Sequence, residues 1–178
     1  MTKYIAFLRA INVGGHNVKM EHLRQLFESL GLTNVETFIA SGNVIFESKI
    51  SNTKSLEKKI EKKLHEELGY EVATFIRTDA ELAGIAKYKP FPQIKLDAAM
   101  ALNIGFLAEP LDESTVQKLM SLKTDIDDFH VHGRELYWLC QKKQSDSKIS
   151  NVAIEKKLGL KTTLRGANSV NKLAEKYC

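Results

Sequence analysis

Apolar residues fill both faces of residues 3–8, with Tyr4, Ala6 and Leu8 on one side and Ile5 and Phe7 on the other. A run that is apolar on both faces predicts a strand inside a sheet. A loop follows, Ile11-Asn12-Val13-Gly14-Gly15-His16-Asn17, and then Met20, Leu23, Leu26, Phe27 and Leu30 fall on one side of a helix with Gly31 as its stop. Two β-rich runs, 35–40 and 44–47, flank Ser41-Gly42-Asn43 and predict a hairpin. Leu56, Ile60, Leu64 and Leu68 recur four apart, with Lys58, Lys59, Lys62 and Lys63 facing away, until Gly69 ends the helix. Residues 72–76 read as a strand closed by Arg77. Thr78-Asp79-Ala80-Glu81 is a capping box opening a short helix that carries Leu82 and Ile85.

Pro90-Phe91-Pro92 interrupts the pattern and marks a boundary between units. The order of elements then repeats. Residues 98–107 alternate as a strand, and Asp112 is placed to cap a helix with Val116, Leu119 and Met120. Runs 126–131 and 135–140 flank a turn at His132-Gly133. Ile154 and Leu158 mark a helix stopped by Gly159, residues 162–164 form a strand closed by Arg165, and Asn168 is placed to cap a last helix with Val170, Leu173 and Tyr177. Each half reads β-α-β-β-α-β-α. Lys62-Lys63-Leu64 recurs as Lys156-Lys157-Leu158, and Ile76-Arg77 recurs as Leu164-Arg165. The pattern implies an α+β chain of two diverged βαββαβ modules, residues 1–90 and 91–178, packed as one compact unit and produced by duplication.

Composition narrows the class. The two cysteines, Cys140 and Cys178, are too few for a disulfide framework and fit free thiols in a reducing compartment. The apolar run Ile5-Ala6-Phe7-Leu8 is too short for a signal-peptide core and is closed by Arg9, which points to the cytoplasm, and no membrane association is expected. Net charge is a mild +4, but residues 142–178 hold nine basic side chains against the three acids Asp146, Glu155 and Glu175. Such a stretch can attract a phosphate-bearing partner or form an ordinary solvated helix face.

Several segments together resemble the bacterial domain-of-unknown-function family 1697, a set of conserved hypothetical proteins. They begin with Leu8-Arg9-Ala10-Ile11-Asn12-Val13-Gly14-Gly15 and continue through Met20, Leu23, Leu26 and Gly31. Ser41-Gly42-Asn43-Val44, Arg77-Thr78, Phe91-Pro92, Phe106-Leu107 and Gly133-Arg134-Glu135-Leu136-Tyr137 belong to the same set. Ser147-Lys148, Leu158-Gly159, Thr163, Arg165, Asn168 and Lys172-Leu173-Ala174 complete it. The resemblance implies two tandem ferredoxin-like modules with mainly antiparallel sheets, and it implies no activity. Where the family has an Asn-Trp-Asn-Thr run, this chain has Gly166-Ala167-Asn168-Ser169, so no role is carried over to Gly166 or Ala167.

In a ferredoxin-like module the loop after the first strand and the hairpin between the second and third share one sheet end. That gathers Arg9, Asn12, Gly14 and Gly15 with Ser41, Gly42 and Asn43, where backbone N–H groups, a helix N-terminus and one fixed charge could hold a phosphate or carboxylate. Ordinary turn chemistry explains the same glycines. A second candidate cluster is Lys148, Arg165 and Asn168, with Arg77 as the counterpart of Arg165, to be weighed against helix capping and ion pairing. His130 and His132 alternate on a strand and share a face, yet two ligands make no closed zinc site, and neither metal nor cofactor is expected. Three classes stay open: a binding module for a nucleotide or nucleic acid, a small enzyme using Arg9, Asn12, Ser41 and Asn43 with His16 as acid–base group, and a scaffold that self-associates into a homo-oligomer.

Overall fold

The computed structural model describes residues 1–12, 15–38 and 42–178. The chain divides into two units, one of Met1–Ala86 with Lys172–Cys178 and one of Lys87–Asn171. The first carries β1 (Thr2–Leu8), α1 (Met20–Glu28), β2 (Thr33–Thr37), β3 (Asn43–Ser48), α2 (Thr53–Leu68), β4 (Thr74–Thr78) and α3 (Asp79–Lys87). Its sheet runs β2-β3-β1-β4 with every neighbouring pair antiparallel. This is the ferredoxin-like order, and it puts β1 between two strands, which is why both of its faces are apolar and buried. Tyr4, Ala6, Leu8, Val44, Phe46 and Ile76 line one face and pack on Leu23, Leu26 and Phe27 of α1 and on Leu56, Ile60 and Leu64 of α2. Each of these large side chains contributes roughly 1.5–3 kcal/mol by leaving water. The α2 helix starts where Asn52 Oδ1 accepts from Ser55 N at 3.1 Å and stops at Gly69, whose φ of 83° is left-handed.

The second unit carries α4 (Gln93–Ala98), β5 (Ala101–Phe106), α5 (Glu113–Met120), β6 (Asp127–His132) and β7 (Glu135–Cys140). A 3-10 turn (Gln144–Asp146), α6 (Asn151–Leu158), β8 (Thr163–Gly166) and α7 (Ala167–Tyr177) follow, the last residues of α7 belonging to the first unit. The sheet order β6-β7-β5-β8 repeats that of the first unit strand for strand, again antiparallel throughout. Phe129, Leu136 and Trp138 pack with Leu119 of α5 and with Ile154 and Leu158 of α6. Asp127, buried among them, takes hydrogen bonds from Trp138 Nε1, Ser147 Oγ and Thr124 Oγ1 at 2.8, 2.8 and 2.6 Å, which gives both of its oxygens partners inside the fold.

Five local expectations change. Residues 93–98 are helical, and the strand expected over 98–107 is confined to Ala101–Phe106. Gln93 Nε2 donates to Asp97 Oδ1 one turn away at 2.9 Å, but α4 buries no residue and so leaves no apolar period to read. Arg77 does not close its strand: it lies inside β4, fully buried, because the strand runs to Thr78. Arg165 likewise lies within β8, and Asn168 sits in the first turn of α7 rather than in a cap position before it. Asn43 belongs to β3, not to the turn.

Candidate functional site

Leu8, Arg9, Gly42 and Asn43, from the two segments of the first candidate cluster, lie at the end of the β2-β3-β1-β4 sheet where β1 finishes. Leu8 N donates to Gly42 O at 2.8 Å, Phe7 lies opposite Asn43, and Arg9 N donates to Ala73 O at 2.9 Å. The segment after β1 therefore adjoins both the β2–β3 connection and the start of β4. Ala10, Gly15 and Gly42 have left-handed backbones, with φ of 53°, 85° and 97°. Glycine suits the latter two, since a side chain there would strain the turn.

Specific side chains hold this loop in place. Asn12 Oδ1 accepts from Val18 N at 2.7 Å, and the Tyr70 hydroxyl donates to Ile11 O at 2.7 Å. His16 lies flat on the Tyr70 ring, with centroids 3.6 Å apart, and burial pushes the Tyr70 phenol pKa up. Asn43 is buried; its Nδ2 donates to Phe38 O at 3.1 Å while Phe38 N donates to Asn43 O at 3.1 Å, so it closes the connection. Arg9 is half-buried at the loop's root. The α1 helix opens at Met20, with Lys19 in the cap position and no side-chain cap. Gly14 and Ser41 lie outside the described residues.

The second candidate cluster belongs to the other unit. Arg165 pairs across the ladder with Ile104, as Arg77 pairs with Ile5, and both guanidinium groups donate through Nη1 to the carbonyl of the preceding residue, at 3.0 Å in Arg165 and 2.9 Å in Arg77. The two arginines thus hold one equivalent position in both modules. Arg165 also donates to Thr163 Oγ1 at 2.8 Å, and burial lowers its pKa to about 10. Lys148 is exposed and follows Ser147, whose hydroxyl binds Asp127 beside the Cys140 end of the sheet. Gly166 lies opposite Asn103 toward that same end, so Asn168 follows there too, away from the His132-Gly133 hairpin.

Two groupings escaped the sequence. Tyr88 stacks on His132 at 4.0 Å between centroids, and its hydroxyl lies 2.6 Å from His130 Nε2, with Phe91 edge-on to His130. Burial first, and then the charge of His132, lowers the His130 pKa, while Asp128 opposes the shift. The two imidazoles do share a face, as their alternation predicts. Elsewhere Tyr177 meets Phe38 edge-on at 5.6 Å, with Lys176 Nζ 4.9 Å from the Phe38 ring centre. Neither grouping has a sequence signature, because the partners lie far apart along the chain. An open depression of about 560 Å³ beside Arg24, Gly31 and Asn34 involves neither candidate cluster. Among the described residues, no three His, Cys, Asp or Glu side chains are grouped to hold a metal ion, and no helix is long and apolar enough to cross a membrane.

The topology defines the class: an α+β protein of two tandem ferredoxin-like modules. The chain belongs to the family described as protein of unknown function (DUF1697), which matches residues 1–137. A solved structure, that of the conserved bacterial protein SP0830 from Streptococcus pneumoniae, shares the fold with a TM-score of 0.75 at 23% identity, over 98% of this chain and 97% of that one. No curated protein matches the chain.

Proposed function

We propose that the chain is a binding module that takes a phosphate-bearing ligand, a nucleotide or a nucleic acid, at the Arg9 end of the first sheet. The observation that carries this reading is the hydrogen bond from Leu8 N to Gly42 O at 2.8 Å, which ties the last residue of β1, immediately before Arg9, to the β2–β3 connection. Close to that joint along the chain come the left-handed residues Ala10, Gly15 and Gly42, the half-buried Arg9, and the start of α1, which has no side-chain cap. Backbone N–H groups in such turns and at helix starts favour an anion, and an arginine adds charge with paired donors. Asn12, Asn43 and Tyr70 fix the frame rather than reaching for a ligand. The exposed His16 ring, flat on Tyr70, gives a planar base a surface to stack on. A reducing, cytoplasmic setting suits the chain, whose two cysteines are free thiols.

Equilibrium titrations with a fluorescent nucleoside triphosphate and with a short single-stranded RNA test the reading at several salt concentrations. Affinity for at least one probe should fall as salt rises, and Arg9→Ala should weaken it about tenfold or more while the variant still melts cooperatively. Failure of both probes to bind at low salt, or binding that the folded Arg9→Ala variant leaves unchanged, would overturn it.

A further inference from the structure

In the first unit β4 is an edge strand. Arg9 N bonds Ala73 O, and the ladder sets Leu8 opposite Thr74, Ala6 opposite Ile76 and Tyr4 opposite Thr78. Bonded and non-bonded pairs alternate along an antiparallel ladder, so Thr74, Ile76 and Thr78 turn their N–H groups away from β1. Each meets a carboxylate instead: Thr74 N donates to Glu61 Oε2 at 2.9 Å, Ile76 N to Glu57 Oε2 at 2.8 Å, and Thr78 N to Glu81 Oε1 at 3.0 Å. The spacing has a geometric cause. Four residues of α2 advance about 6 Å and two residues of a strand about 7 Å, so carboxylates one helical turn apart reach alternate amides of the strand beside them.

The second unit repeats one part of the device. In the edge strand region of β8, Thr162 N donates to Glu155 Oε2 at 3.0 Å, and Asn151, one turn earlier on α6, donates from Nδ2 to Thr162 O at 3.2 Å. Superposing Lys62-Lys63-Leu64 on Lys156-Lys157-Leu158 sets Glu61 on Glu155 and Glu57 on Asn151. Open N–H groups on an edge strand are a template for pairing with another chain. We propose that Glu57, Glu61 and Glu81 seal the β4 edge and hold it off strand pairing with a second copy of this chain. Removing the α2 carboxylates leaves the Thr74 and Ile76 amides to the backbone carbonyls of a second β4, in a two-fold contact.

The test compares wild type, Glu57→Ala/Glu61→Ala and Glu57→Gln/Glu61→Gln, the last keeping an acceptor oxygen at each position. Amide hydrogen exchange is read at Thr74 and Ile76 in dilute protein, and mass is followed by light scattering over a wide concentration range. The alanine variant should exchange these two amides about tenfold or more faster than wild type, and its mass should rise above wild type's with concentration, while the glutamine variant stays close to wild type. If the alanine pair does not fold, Glu61→Ala alone, from a half-buried side chain, is read at Thr74. Unchanged exchange in the folded alanine variant, mass that never exceeds wild type's, or a glutamine variant that associates as the alanine one does would each overturn the proposal.

Discussion

Gly105 on β5 faces Leu136 on β7 so closely that an added Cβ would stand 2.7 Å from Leu136 Cγ and 2.9 Å from its Cδ1. Gly105→Ala should therefore destabilise the chain by about 1–3 kcal/mol, seen as a lower urea midpoint. Tyr177 makes a different prediction. Burial first, and then the Glu36 hydrogen bond and charge, push its phenol up to about 12 from an ordinary 10.0. The folded state holds this proton more tightly than the unfolded chain. Its contribution to stability is thus complete below the ordinary value and is lost as pH rises through about 12. Arg165, lowered to about 10 by burial, acts in the opposite sense over a similar window, so the comparison must be with Tyr177→Phe. That variant should lose stability less steeply in alkaline unfolding curves than wild type does; equal slopes would count against the assignment. At this scale the sequence offered Asn43 and Asn12 as ligand groups, and it did not announce the hydrogen bonds that Asn43 Nδ2 donates to Phe38 O and Asn12 Oδ1 accepts from Val18 N, because no spacing encodes them.

Among the elements, those with a buried stripe or a side-chain cap were legible. The Thr78/Glu81 capping box forms as read, with Thr78 N donating to Glu81 Oε1 at 3.0 Å and Glu81 N to Thr78 Oγ1 at 3.1 Å. The predicted cap at Asp112 accepts from Thr115 N at 2.8 Å. Thr78→Ala should cost about 1 kcal/mol in a urea titration, with α3 amides losing protection first. What stayed hidden had no period to display. The α4 helix buries nothing, and the ends of β4 and β8 were misplaced because a buried arginine inside a strand reads from sequence as the strand's end.

Across the whole molecule, the repeated β-α-β-β-α-β-α order was enough to give two sheets of the same strand order, since antiparallel pairing and short connections leave few alternatives. The meeting of the end of β1 with the β2–β3 connection follows from that topology, with Leu8 N bonded to Gly42 O. Contacts between distant segments, such as Tyr70 with Ile11 and Tyr88 with His132, did not follow, because they depend on side-chain reach after the sheets have formed. The central claim is that the Arg9 end of the first module accepts a phosphate-bearing ligand. Backbone amide shifts recorded while a nucleoside triphosphate is titrated into the intact chain test it most directly. The account predicts saturable shifts gathered at Ala10, Ile11, Asn12, Gly15 and Gly42 that fade as salt is added. Shifts confined to the Lys148–Asn168 region, or none at any concentration, would contradict it.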